Sequence, residues 1–180
     1  MQVEQFDINS PPPKGHKDLG QWVWDLFQIS RDWRENELGM DNIWRQNHKL
    51  FRGNHWGNKK TTDSISVGLN FSNIERTAAS MSSADPIAKV VDLDGIGGDS
   101  FKIATARMKK WWYESGQSRK HRMSIRNSEI YGISWEKAAW SAVEEEPAIV
   151  VCDPFAIFPF PGYYDDVSRD CPAMCHAIAD

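Results

Sequence analysis

The stretch MSIRNSEIYGISWEKAAWSAVEEEPAIVVCD, residues 123–153, decides the fold class, because the spacing of its apolar residues changes midway. Met123, Ile130 and Tyr131, with Asn127 between them, keep a helical period. From Ile133 the pattern turns to strands: ISWEKAAWSAV, then PAIVVCD, which stops at Asp153-Pro154. Pro159 and Pro161 are expected to forbid regular ladder pairing just beyond. A last apolar stretch, Ala173 to Ala179, again reads as a strand. It ends without a turn or a polar tail, so the reading expects a truncated chain.

Upstream of this switch, the helical period begins near Ser100 and runs through Phe101, Ala104, Met108, Trp111, Trp112 and Ser115 to Gly116. Asp94 to Asp99 (DGIGGD) is a turn, preceded by a short β-branched strand from Ile87 to Leu93. Before that, Ser72-Asn73-Ile74-Glu75 has the S-x-x-E form of a capping box. It opens a short helix with Ile74, Ala78 and Met81 on one side, which runs to about Ser83 and is ended by Asp85-Pro86. Residues 53–68 form a polar loop between Gly53 and Gly68. Leu19, Trp22, Val23, Leu26 and Phe27 lie at helical spacing, Trp33 follows roughly on that face, and Met40, Ile43, Trp44, Asn47, Leu50 and Phe51 resume the stripe. Gly39 between them divides or kinks the element. In residues 1–18, Pro11-Pro12-Pro13 exclude helix and favour an extended segment, read as a flexible N-terminal arm or a strand borrowed by a neighbour.

The resulting fold class is α+β, with long helices packed on a small mixed or antiparallel sheet of residues 87–93, 133–143 and 147–153. Residues 19–180 are expected to belong to one domain, of which they would be the N-terminal part. Trp22, Leu26, Trp44, Leu50, Met108, Trp111 and Trp112 are expected to be mostly buried.

Composition narrows the function classes. The chain has 180 residues, 41% hydrophobic and 26% charged, which is globular. A net charge of −4 argues against a protein that coats nucleic acid along its whole surface. No apolar run approaches the ~20 residues of a membrane helix, and the N-terminus lacks the pattern of a signal peptide, so no membrane is expected and synthesis is cytosolic. Nine tryptophans are an unusual number and read as packing or subunit-interface anchors. Charge is segregated: residues 102–126 carry +7, and residues 129–180 carry −8. These blocks suit mutual attraction within one fold or between subunits.

Catalytic signatures are absent. The chain holds no G-x-x-x-x-G-K-[ST], no H-E-x-x-H and no G-x-S-x-G. DGIGGD lacks the alternating acids and terminal Glu of a calcium loop. Cys152, Cys171, Cys175 and His176 have zinc-ligand chemistry, but Cys175 and His176 would face opposite ways on a strand, so free thiols are the reading. Asp165-Asp166 reads as a solvated turn rather than a metal site. No catalytic residue, cofactor or metal is therefore expected, and the chain should hydrolyse no nucleotide. Lys109, Lys110, Arg119, Lys120, Arg122 and Arg126, interleaved with Trp111, Trp112 and Tyr113, have the chemistry of DNA or subunit contact. A solvated face backed by a core-facing Trp stripe is the plainer reading.

The order of these pieces resembles a known family. Trp44-x-x-Asn47 leading into Leu50-Phe51-Arg52-Gly53-Asn54-His55-Trp56 resembles the "aromatic–Arg–Gly–x–x–Trp" end of the first helix in tailed-phage portal proteins. Asn70-Phe71-Ser72-Asn73-Ile74-Glu75 resembles the helix start that follows there, and Ala84-Asp85-Pro86-Ile87-Ala88-Lys89-Val90 the strand after it. Tyr131-Gly132-Ile133-Ser134-Trp135-Glu136-Lys137 is similar to that family's Gly-containing passage from a long helix into a strand. Val151-Cys152-Asp153-Pro154-Phe155-Ala156-Ile157-Phe158-Pro159, followed by Asp165-Asp166 and Cys171, is similar to its "v-d-P-x-x-i-f-x-D-P…D" segment, although Phe160-Pro161 here lacks the family's Asp.

The resemblance implies a structural subunit, not an enzyme, of a usually dodecameric portal ring at one capsid vertex. DNA passes through such a ring during packaging and ejection, and the tail attaches below it. It implies partners: copies of the chain, capsid, scaffolding, terminase and tail adaptor proteins, and double-stranded DNA in the channel. It also implies localisation in the virion, and in the host cytoplasm during assembly. The match covers the family's N-terminal, wing-type portion; stem, clip and tunnel loop lie further along such chains. Trp44, Asn47, Arg52, Gly53, Trp56, Asn70, Pro86, Gly132, Asp153, Pro154 and Asp165 carry it. Two other classes stay open: a nucleic-acid-binding adaptor using the basic stretch 102–126, and a fragment of an enzyme whose site lies beyond Asp180.

Overall fold

A computed structural model describes residues 8, 12, 14–56, 68–86, 89–91 and 99–178. The chain is α+β, with helices predominating and two separate two-stranded antiparallel sheets. It divides into two compact units, Met1–His48 with Asp153–Asp180, and Lys49–Cys152.

In the first unit, helix α1 (His16–Asp32) continues into a π-helical turn, Trp33–Glu37, in which Leu38 N–H donates to the Trp33 carbonyl at 2.9 Å. Gly39, at φ +63°, then ends the element, a conformation glycine adopts without penalty. Helix α2 (Met40–Phe51) starts beyond it, and its residues through His48 belong to this unit. A single 3₁₀ turn (Pro154–Ala156) leads to β3 (Ile157–Pro159), which pairs with β4 (Met174–His176). A four-residue helix, α6 (Val167–Asp170), is capped by the Asp166 carboxylate, which accepts from Ser168 N–H at 3.0 Å. Leu26, Ile29, Trp44, Ile157 and Phe158 are the buried core, each side chain contributing about 1.5–3 kcal/mol.

In the second unit, α3 (Leu69–Met81), α4 (Ser100–Glu114) and α5 (Gln117–Tyr131) pack with a hairpin of β1 (Trp135–Ser141) and β2 (Glu146–Cys152). Gly116 (φ +66°) turns α4 into α5, and Gly132 (φ +75°) ends α5 by donating its N–H to the Ser128 carbonyl. Ala78, Ile125, Ile130 and Cys152 are buried here.

Several expectations are corrected. Among the described residues no third strand joins the sheet: 89–91, within the expected strand 87–93, are irregular, and Val90 N–H donates to the Thr105 hydroxyl at 3.0 Å. Ile87, Ala88, Asp92 and Leu93 lie outside the described residues, as do residues 94–98 of the turn and 57–67 of the polar loop. The capping box is not one. Helix α3 begins three residues earlier, at Leu69, and Ser72 N–H donates to the Gly68 carbonyl, which leaves Glu75 in mid-helix. Pro159 does join a ladder, because β3 is a single short edge and a proline's carbonyl still accepts. The buried stripe is narrower than expected. Leu26 and Trp44 are buried, Trp22, Met108, Trp111 and Trp112 are half-buried, and Leu50 is exposed.

Candidate functional site

The residues behind the resemblance fall into two groups. In the first unit, the Trp44 ring stands edge-on to Phe155 at 5.4 Å, Pro154 is buried, and the Asp153 carboxylate caps the 3₁₀ turn by accepting from Phe155 N–H. Asn47 is half-buried and Asp165 is exposed. One side chain that the sequence reading passed over ties this unit together. Arg34 is buried in the π-helical turn, and its guanidinium donates to the carbonyls of Pro154 (3.3 Å), Phe155 (3.1 Å) and Ile157 (2.7 Å). It also lies over the Phe158 ring at 3.8 Å. Burial pulls its pKa down, and the neighbouring Asp41 carboxylate opposes that shift. A signal for it existed: Arg34 follows Leu26 by eight residues and Ser30 by four, on the same helical face.

In the second unit, Gly53 (φ +71°) ends α2, and Gly132 ends α5. Arg52, Trp56, Asn70 and Pro86 are exposed. The basic residues divide by partner. Arg126 meets Glu75 of α3 at 2.6 Å and Arg122 meets it at 3.4 Å, and the Arg126 bond holds the Glu75 carboxyl below its ordinary range. Lys110 pairs loosely with Glu114 at 3.8 Å. Among the described residues, Arg107, Lys109, Arg119 and Lys120 form no ion pair.

Helix α4 carries a cleft on each side of Trp111. One, of about 390 Å³, is lined by Asp85, Pro86, Met108, Lys109, Trp111, Trp112 and Tyr113. Its polar end is fixed: the Ser118 hydroxyl donates to Asp85 and accepts from the Trp112 indole at 3.2 Å. Those bonds, Ser118's foremost, hold the Asp85 carboxyl below its usual range. The other, of about 550 Å³, is lined by Arg107, Lys110, Glu114, Glu146 and Pro147, with Met108 and Trp111 shared. The Trp111 indole donates to the Pro147 carbonyl at 2.8 Å, pinning the hairpin to α4. The smaller cleft is lined mostly by apolar and aromatic side chains, the larger by Arg107, Lys110, Glu114 and Glu146 with Met108, Trp111 and Pro147.

The three cysteines are free thiols, and burial pushes the Cys152 and Cys175 thiols up, toward the protonated and unreactive form. Among the described residues, no three His, Cys, Asp or Glu side chains gather as a metal site would need. Compared with family models, curated proteins and solved structures, the chain matches none.

Proposed function

We propose that the chain is the wing-type portion of a tailed-phage portal subunit, a structural rather than catalytic protein. It would assemble with copies of itself into a ring at the capsid vertex, around the channel for packaged and ejected DNA. Capsid, scaffolding, terminase and tail adaptor proteins would be its other partners, in the virion and, during assembly, in the host cytoplasm. The single observation that carries the reading is the joining of the two ends of the resemblance: Arg34 donates to the carbonyls of Pro154, Phe155 and Ile157, and the Trp44 ring stands edge-on to Phe155. Segments that sequence order alone relates are thus parts of one packed unit. Electron microscopy of the protein expressed from the whole reading frame tests it: closed rings with a central channel support it, and particles that never close contradict it.

A second reading, a nucleic-acid-binding adaptor, is favoured by one observation: Lys109, Arg119 and Lys120 form no ion pair among the described residues, and Tyr113 on the same helical stretch is 82% exposed. A mobility-shift titration against salt separates the two. Adaptor binding at physiological salt should weaken steeply as salt rises, whereas a wing subunit should leave free DNA unshifted.

A further inference from the structure

The β1–β2 hairpin is covered on little of its surface. Residues 136–140 of β1 are all exposed, and at the turn end Trp140 is 66% and Val143 95% exposed. A two-stranded ribbon in water is marginal by itself, and this one is held chiefly at the β2 side, where Pro147 accepts from Trp111. Glu136 and Lys137 guard the β1 edge with charge, which disfavours pairing by another strand. What remains available is the tip: two apolar side chains beside Glu144, Glu145 and Glu146, all exposed. The shape is fixed rather than loose, since Glu144 N–H donates to the Ser141 hydroxyl at 3.2 Å and Glu145 sits at φ +53°.

The same unit carries the complement of that tip. The 390 Å³ cleft has an apolar floor of Pro86, Met108, Trp111 and Trp112, with Lys109 at its rim. It lies in the segment of charge +7, while the hairpin lies in the segment of charge −8. Its one lining carboxylate, Asp85, is already engaged by Ser118. We propose that the hairpin tip of one copy docks on this α4 cleft of the next, with Trp140 as the apolar anchor and the Glu144 and Glu145 carboxylates against Lys109, which forms no ion pair among the described residues. Two different patches are joined, so the contact is heterologous and repeats head to tail. In taking another copy as the occupant, the inference rests on the ring reading.

Sedimentation of the chain at rising concentration, at low and at physiological salt, tests it. The parent should self-associate, more tightly at low salt. Trp140→Ala, which removes an exposed side chain and should leave the circular dichroism unchanged, should weaken association at least about tenfold. Glu144→Lys should weaken it at low salt, and mixing with Lys109→Glu should restore part of the loss. A parent that stays monomeric up to its solubility limit, or variants that associate as tightly as the parent, overturn the contact. Open filaments that depend on Trp140 support the contact and contradict the ring. Closed rings indifferent to Trp140→Ala do the reverse.

Discussion

Arg34 and Asp41 form a nearly dry ion pair across the Gly39 break, the guanidinium Nε 2.9 Å from a carboxylate oxygen, with the two side chains only 4% and 13% exposed. The pair spans the end of the π-helical turn and the first turn of α2, so it fixes how the chain leaves one helix and enters the next. A charge this deep is tolerated because most of its donors are used: Nη2 donates to Asp41, Nη1 to the carbonyls after Asp153, and the plane lies on Phe158.

Removing Arg34 should therefore cost far more than a surface pair would. Arg34→Met leaves Asp41 and three carbonyls without their donor, and should lower stability by about 3–5 kcal/mol. Arg34→Lys should recover little, since an ammonium cannot reproduce the planar fork. Urea unfolding of the three proteins measures both. Equal midpoints for parent and Arg34→Met would show that the pair holds nothing.

Glu75 gives a pH dependence with a definite sign. Its carboxyl is depressed in the folded chain, chiefly by the Arg126 hydrogen bond. Its stabilisation is thus present above the unfolded value of about 4.3 and is lost as pH falls through the folded value. Glu75→Gln should be less stable than the parent by about 0–1 kcal/mol at neutral pH, the range for a partly exposed pair. The gap should close in acid. A gap that persists or widens at low pH would reverse the assignment.

Gly132 isolates a backbone effect. An added Cβ there would meet nothing within 4 Å, so only the left-handed conformation at φ +75° resists substitution. Gly132→Ala should cost about 1–2 kcal/mol, and Gly132→Asn less, because Asn tolerates that region. Thermal melts of both variants check the order. An alanine variant as stable as the parent would mean that α5 ends by some other means.

How far the sequence revealed this structure depended on the range of the interactions. The break at Gly39, the turn at Gly116 and the switch to strands after Tyr131 were legible, because each is set by local spacing and by residues with restricted or unusual dihedrals. The start of α3 was not. Ser72 and Glu75 have the right spacing for a cap, but Glu75 is better satisfied by Arg126, fifty-one positions away, than by its own backbone. Arg34 was missed for a similar reason: a charged residue on an apolar face reads as an interruption until its carbonyl partners, over a hundred positions later, are known. Neither the Ser118–Asp85 bond nor the two clefts beside Trp111 follow from any motif. They arise where α4 meets α5, the segment around Pro86 and the start of β2, and a linear pattern carries no such meeting.

Assembly into a ring, as we propose for this chain, is tested most directly by electron microscopy of the protein expressed from its whole reading frame, beside residues 1–180 alone. Closed rings with a central channel are expected for the former. Residues 1–180 alone should give small, salt-sensitive oligomers that dissociate on dilution, because one hairpin in one cleft falls well below the ~1,200 Å² of a stable interface. A whole-frame protein that stays monomeric, or forms only open chains, would contradict it.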